Sequence, residues 1–125
     1  MKGIKVNEES SIFSSDEFSD IRAYFDDGLD DTIWCRDGWA SIIRRCHDEL
    51  FLKDPTYRIS QIKEKFGSLR YYFTPSDMEK YREMGSVVLK YEIESENTCD
   101  ICGQEGYIHK DGGCYRARCE EHAND

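Results

Sequence analysis

The stretch Cys99-Asp100-Ile101-Cys102-Gly103, answered after a glycine-rich turn by Cys119-Glu120-Glu121-His122, decides how this chain is read. A Cys-x2-Cys pair followed by glycine predicts a tight knuckle whose backbone N–H groups point at the sulfurs. The glycine permits the positive φ that such a turn needs. Sixteen residues separate Cys102 from Cys119, room for a small hairpin turning at Gly112-Gly113. Cys119-x2-His122 is then expected at the start of a helical turn, where it closes a tetrahedron. Three cysteines and one histidine with no open position are the donor set of structural rather than catalytic zinc. The expected cofactor is therefore one structural Zn2+ per chain. Knuckle, hairpin and a ligand pair at a helix start follow one another in the order of a treble clef or zinc ribbon.

Cys114 offers an alternative. Cys99, Cys102, Cys114 and Cys119 would make an all-cysteine site and release His122. The two-residue gap between Cys119 and His122 is the usual geometry of paired ligands and favours the set that includes the histidine. His109, in the middle of the hairpin, is a weaker candidate. Cysteines also pack as small hydrophobes, but four spaced ligands in so short a segment argue against packing alone.

Working outward, the 125 residues carry a net charge of -9, with 34% charged and 38% hydrophobic side chains. That bounds the chain to one ordinary domain, or to one domain with a small metal-held appendage. An acidic exterior favours partners with basic surfaces and disfavours the nucleic-acid backbone. The opening residues, Met1 to Glu9, contain no apolar run of signal-peptide length. No stretch approaches the roughly 18 consecutive apolar residues of a membrane span. Six cysteines without a secretory context read as metal ligands and free thiols rather than disulfides. The expected compartment is the cytoplasm, with no membrane association.

Periodicity supplies the rest of the expected fold. Residues 1–14 read as an arm or an edge strand. From a possible N-cap at Ser15, a short helix carries Phe18, Ile21 and Phe25 on one side and ends at Asp26-Asp27-Gly28. Asp30 to Asp37 reads as a loop. A second helix spans about Gly38 to Phe51, with Trp39, Ile42, Ile43, Cys46 and Leu50 as its apolar stripe, and Asp54-Pro55 stops it. Tyr57 to Lys65 and Leu69 to Phe73 predict two strands around Phe66-Gly67-Ser68. Ser76-Asp77-Met78-Glu79 reads as a capping box for a third helix reaching about Ser95. The expected class is α+β: a small antiparallel hairpin packed with helices over residues 1–97, and a zinc-binding tail over 98–125.

Other constellations are weaker. Cys46 lies on the apolar stripe and reads as packing. Cys35 beside Trp34, with His47 imagined as its base, lacks a third orienting group. Asp26/Asp27 and Asp30/Asp31 are adjacent acids of a kind usually just solvated. With no catalytic set to name, the expectation is a protein that is not an enzyme. The central hairpin is the one basic island: residues 57–75 hold Arg58, Lys63, Lys65 and Arg70 against Glu64 alone. These cations are expected either to pair with the acidic helices or to form a protein-binding face of Lys63, Lys65, Phe66, Arg70 and Tyr72. A stacking platform for nucleic acid, in a zinc-bearing regulator using residues 58–72, is the alternative.

Three blocks carry a resemblance: Gly38-Trp39, then Ile62-Lys63-Glu64-Lys65-Phe66-Gly67-Ser68-Leu69-Arg70-Tyr71-Tyr72, then the cysteine–histidine tail. Together, over residues 38–123, the chain resembles a family of small bacterial and phage or prophage proteins of unknown function. The resemblance implies Cys99, Cys102, Cys119 and His122 as the ligand set. Where the family typically shows an aromatic, this chain has Cys114. It further implies a mobile-element setting, in which small acidic proteins bind and block a host or rival protein. The corresponding expectation is an acidic inhibitor of a host defence factor, or an immunity-type protein that masks a basic surface.

Overall fold

The computed structural model describes residues 16–124. The arm or edge strand expected over residues 1–14 and the cap expected at Ser15 lie outside the described residues.

Trp39, Ile42, Ile43, Cys46 and Leu50 recur at helical spacing, and all five are buried. They stand on the 3₁₀ turn Asp37–Trp39 and the helix α2 (Ala40–Lys53) that continues from it. Here α1 is the short helix Ser19–Arg22 that precedes it. α2 stops at Asp54, which has extended φ, as the ring of the following Pro55 requires of its neighbour. Asp54 is itself buried and accepts hydrogen bonds from the Ser76 backbone N–H (2.7 Å) and hydroxyl (2.8 Å). It thus ties the end of α2 to the entrance of α3 (Tyr81–Glu96).

The sheet under these helices has three strands: β1 (Ile33–Trp34), β2 (Arg58–Lys65) and β3 (Ser68–Thr74). β2 is central, parallel to β1 and antiparallel to β3. Ile33, Ile62 and Tyr71 align across it and are buried. Ile59 and Ile62 are three residues apart and should face opposite sides of a regular strand. The register shifts between Ile59 and Gln61, and this irregularity brings both into the core. A row of hydrogen bonds runs through that core, from His47 Nδ1 to the Tyr57 hydroxyl (2.7 Å) and on to the Tyr71 hydroxyl (2.8 Å).

The outer edge of β3 is closed by α3. Ser95 Oγ accepts from the Leu69 N–H (2.9 Å), and the Glu92 carboxylate accepts from the Tyr71 N–H (3.2 Å). Burial raises the Glu92 pKa. Two donors that would otherwise invite another strand are satisfied within the chain. Ion pairs join α2 to α3: Arg45 with Glu94 (2.6 Å), Lys53 with Glu83 (2.7 Å) and Lys90 with Glu49 (2.7 Å).

The α+β class agrees with the sequence reading, and three details do not. The first helix is much shorter than Ser15–Phe25: a 3₁₀ turn Asp16–Phe18 leads into four helical residues. Beyond Arg22 the backbone is drawn to β2, where Ile59 N–H donates to Tyr24 O (2.9 Å) and Asp26 N–H to Ile59 O (3.0 Å). Phe18, Ile21 and Phe25 are nevertheless all buried. Ile33 and Trp34, read as loop, form β1. Two residues are too few to show alternation, and their partners lie 29 positions away. The cap before α3 is Asp77, whose carboxylate accepts from Glu79 N–H (2.9 Å). Ser76 is instead engaged by Asp54.

Candidate metal centre

The tail builds its site in the expected order. β4 (Tyr107–Asp111) and β5 (Cys114–Arg118) form a hairpin through Gly112 and Gly113, both at positive φ. The 3₁₀ turn Glu120–His122 follows. The knuckle Cys99–Cys102 closes with Gly103 N–H donating to Cys99 O (2.9 Å), Gly103 having φ 81°. Its N–H groups point at sulfur: those of Ile101, Cys102 and Cys119 at Cys99, and that of Gln104 at Cys102.

The donor atoms of Cys99, Cys102, Cys119 and His122 all lie within 4.8 Å of one another. Cys102 Sγ is 3.8 Å from Cys119 Sγ, and His122 Nδ1 is 3.6 Å from Cys99 Sγ and 3.2 Å from Cys119 Sγ. Ligands about 2.3 Å (sulfur) and 2.0–2.1 Å (nitrogen) from a tetrahedral centre stand roughly 3.8 Å apart as sulfur–sulfur and roughly 3.6 Å apart as sulfur–nitrogen. The four residues are therefore compatible with a metal site, and Nδ1 is the imidazole nitrogen turned toward the sulfurs. Burial raises the Cys99 thiol pKa, but the converging N–H groups more than offset it and bring the pKa to about 7. That favours the thiolate a metal requires.

Cys114 stands apart from this group. It pairs with Asp111 at the turn end of the hairpin and is exposed, whereas Cys119 lies beyond the other end of β5. His109 Nε2 donates to Arg118 O (3.1 Å) and is not among the clustered donors.

Residues that sequence reading did not single out hold the cluster in place. Asp100, inside the knuckle, forms a buried ion pair with Arg118 (2.6 Å), and Arg118 also donates to His122 O (3.3 Å). Desolvation raises the Asp100 pKa, and the Arg118 charge partly offsets this. Asp100 N–H donates to Ala117 O (2.9 Å), while its carbonyl accepts from Gly38 N–H (2.8 Å). A Cβ on Gly38 would lie 2.2 Å from Cys99 O, so the knuckle sits directly on that glycine backbone. Next to it, Trp39 Nε1 donates to Thr98 O (3.0 Å). The Gly38-Trp39 dipeptide is thus the seat of the metal knuckle. Its signals in the sequence were its place at the head of the apolar stripe and its recurrence with the tail in the family resemblance, neither of which gives its structural role.

The remaining candidate thiols are packing. Cys35 and Cys46 are buried, and burial raises both thiol pKa values. His47 Nδ1 is engaged by the Tyr57 hydroxyl.

The candidate interaction residues lie on the sheet face opposite the core, with Lys65, Phe66 and Tyr72 exposed and Lys63 and Arg70 half-exposed. Trp34, Lys63 and Arg70 align across β1, β2 and β3, with Tyr72 opposite Gln61 in a neighbouring row. Trp34 is 50% exposed and Phe66 61%. The expectation that these cations pair with neighbouring acids holds for Arg58, which meets Asp26 (3.4 Å), whereas among the described residues no carboxylate forms an ion pair with Lys63, Lys65 or Arg70. Phe66 reaches the tail hairpin, meeting the Tyr115 ring edge-on at 6.2 Å between centroids.

The described chain is therefore an α+β domain with a C-terminal cluster of three cysteines and one histidine. Among the described residues no helix is long and apolar enough to cross a membrane. The chain matches no protein-family model, no curated protein and no solved structure.

Proposed function

We propose that this chain is a non-enzymatic interaction protein and that its cysteine–histidine cluster holds one structural zinc ion. The observation that carries the reading is the face formed by Trp34, Lys63, Arg70 and Tyr72. Trp34 and Tyr72 are exposed and Lys63 and Arg70 half-exposed, so the face combines accessible aromatic rings with cations that have no carboxylate partner among the described residues. Tyr, Trp and Arg are the side chains that most often dominate binding energy at interfaces. The zinc assignment rests on donor chemistry: thiolates with an imidazole in a closed tetrahedron suit zinc better than the oxygen-seeking ions. In this reading the zinc holds the second hairpin against Phe66, beside the face, and acts on no substrate.

The resemblance to small phage and prophage proteins is what supports a host or rival protein as the partner. The test is comparative capture from source cells. The wild-type chain should retain a protein that a Lys63→Glu/Arg70→Glu/Tyr72→Ala chain does not. Equal recovery by both chains removes the face, and recovery by neither removes the reading. Metal analysis of the same purified chain should give about one zinc per molecule.

A further inference from the structure

We infer that the sheet face carrying Trp34, Lys63, Lys65, Arg70 and Tyr72 is a docking site for a short, extended, acidic segment of another polypeptide. The inference deepens the interaction reading above and rests on it.

Charge complementarity gives the sign of the partner. On the helical side the cations are satisfied, as in Arg44–Asp20, Arg45–Glu94, Lys53–Glu83 and Lys90–Glu49. On the sheet face the field of Arg70 reaches Glu92 without forming an ion pair. The β2–β3 register places Lys63 directly opposite Arg70. Lys63 and Lys65 are alternate residues of β2, so they project on one side roughly 7 Å apart. Carboxylates at alternate positions of an extended peptide have that same spacing.

Aromatic groups frame the cations. Lys65 Nζ lies 5.5 Å from the Phe66 ring centroid, Phe66 meets Tyr115, and Lys110 Nζ lies 5.7 Å from the Tyr115 centroid. The ladder Lys65–Phe66–Tyr115–Lys110 carries the face from the central hairpin onto the metal-held one. Phe66 also has φ 57°, a conformation that favours glycine or asparagine. Its turn is held by Glu64 Oε2, which accepts from Gly67 N–H (2.7 Å). A large apolar ring kept exposed at a backbone cost points to use by a ligand.

Length separates a peptide from a nucleic acid. The cationic face is short, and the Asp30 carboxylate, hydrogen-bonded by the Trp34 side chain, stands at its β1 end with Asp31 next in sequence. A long polyanion running past Trp34 meets these acids and a molecule of net charge -9. A segment of a few residues does not extend that far, and charges beyond about 8 Å are screened at physiological salt.

Trp34 is a built-in reporter, since Trp39 is fully buried. Three probes are titrated while tryptophan emission is followed: the pentapeptide Glu-Val-Glu-Val-Glu, its Lys-for-Glu counterpart, and decathymidylate. The acidic peptide should change the emission saturably, with an affinity that falls as salt rises. A Lys63→Glu/Arg70→Glu chain should lose at least tenfold in affinity, and the milder Lys63→Gln/Arg70→Gln chain less. Both variants should keep wild-type circular dichroism and metal content. Tighter binding of decathymidylate or of the Lys peptide overturns the inference. So does acidic-peptide binding that ignores both variants, or no binding at all. Cellular capture that depends on Lys63 and Arg70 without acidic-peptide binding removes only the acidic partner. Loss of capture and peptide binding together removes the interaction reading itself.

Discussion

Residues 16–97 bury Ile21, Ile33, Trp39, Ile42, Ile43, Leu50, Ile59, Ile62 and Leu69, whereas residues 98–124 bury only Cys99 and Ala117 among their described apolar side chains. Tyr107 and Ile108 of the second region remain exposed. Ordering a residue costs roughly 1–2 kcal/mol of backbone entropy. The first region offsets this through contiguous apolar burial, at about 25 cal/mol per Å². The second buries too little to do so, and in the proposed reading a zinc cross-link through its four donors supplies the difference. Regions adjacent in one small chain therefore have different vulnerabilities, one to cavities and the other to loss of a ligand. The two regions meet at Gly38, Trp39 and the Phe66–Gly67 turn, and Ala117 of the second joins the core of the first.

The largest expected effect separates the two regions. Cys119→Ser, or chelation of the wild-type protein, should abolish metal binding and unfold residues 98–124 while the first region keeps its protection from hydrogen exchange. Binding free energies of about 10–16 kcal/mol for structural zinc in small peptides set the scale of what the tail loses. Cys114→Ser should leave metal stoichiometry and melting temperature unchanged. A Cys119→Ser chain that retains its metal would break the comparison at its root.

Gly38→Ala tests the seam. A methyl group 2.2 Å from the Cys99 carbonyl must displace knuckle or helix. Overpacking of this kind costs about 1–3 kcal/mol, and the loss should appear both in urea denaturation and as weaker metal affinity. An effect on one without the other would mean that the regions are uncoupled.

Asp54→Ala acts within the first region alone. It removes the acceptor of both Ser76 hydrogen bonds and should cost about 1–3 kcal/mol in urea denaturation, with metal affinity unchanged.

The smallest effect is one of pH. Burial lowers the His47 pKa from its usual value near 6.5. Below that value the unfolded chain binds a proton that the folded chain refuses. The His47 contribution is thus complete above about pH 6.5 and declines as pH falls. His47→Gln should flatten stability between pH 7 and pH 5. The measurement is best made in a Cys119→Ser background, where ligand protonation does not contribute. Parallel pH slopes for the two chains would exclude His47 as the titrating group.

Much of this was legible because it is local. The stripe from Trp39 to Leu50 repeats with the period of one helix, so its burial follows from spacing. The cysteine–histidine cluster was legible for a similar reason, since each donor pair spans only a two-residue gap. β1 was not legible, because Ile33 and Trp34 are strand only by virtue of Ile62 and Lys63 far along the chain. The placement of Ile59 depends on a register shift that simple alternation conceals. The role of Gly38 was hidden as well, because a glycine at the mouth of a helix looks the same whether or not a knuckle rests on it.

By itself, the sequence determined the elements whose causes lie within a few residues: the helical stripes, the central hairpin and the four donors with their gaps. Tertiary structure alone decided which cations lack an ion pair among the described residues. Lys63, Lys65 and Arg70 look like any cations on an acidic protein until the register aligns Lys63 and Arg70 with Trp34, on the side the helices leave open. An ion pair depends on distance in space, and one-dimensional spacing does not encode that distance between strands and helices.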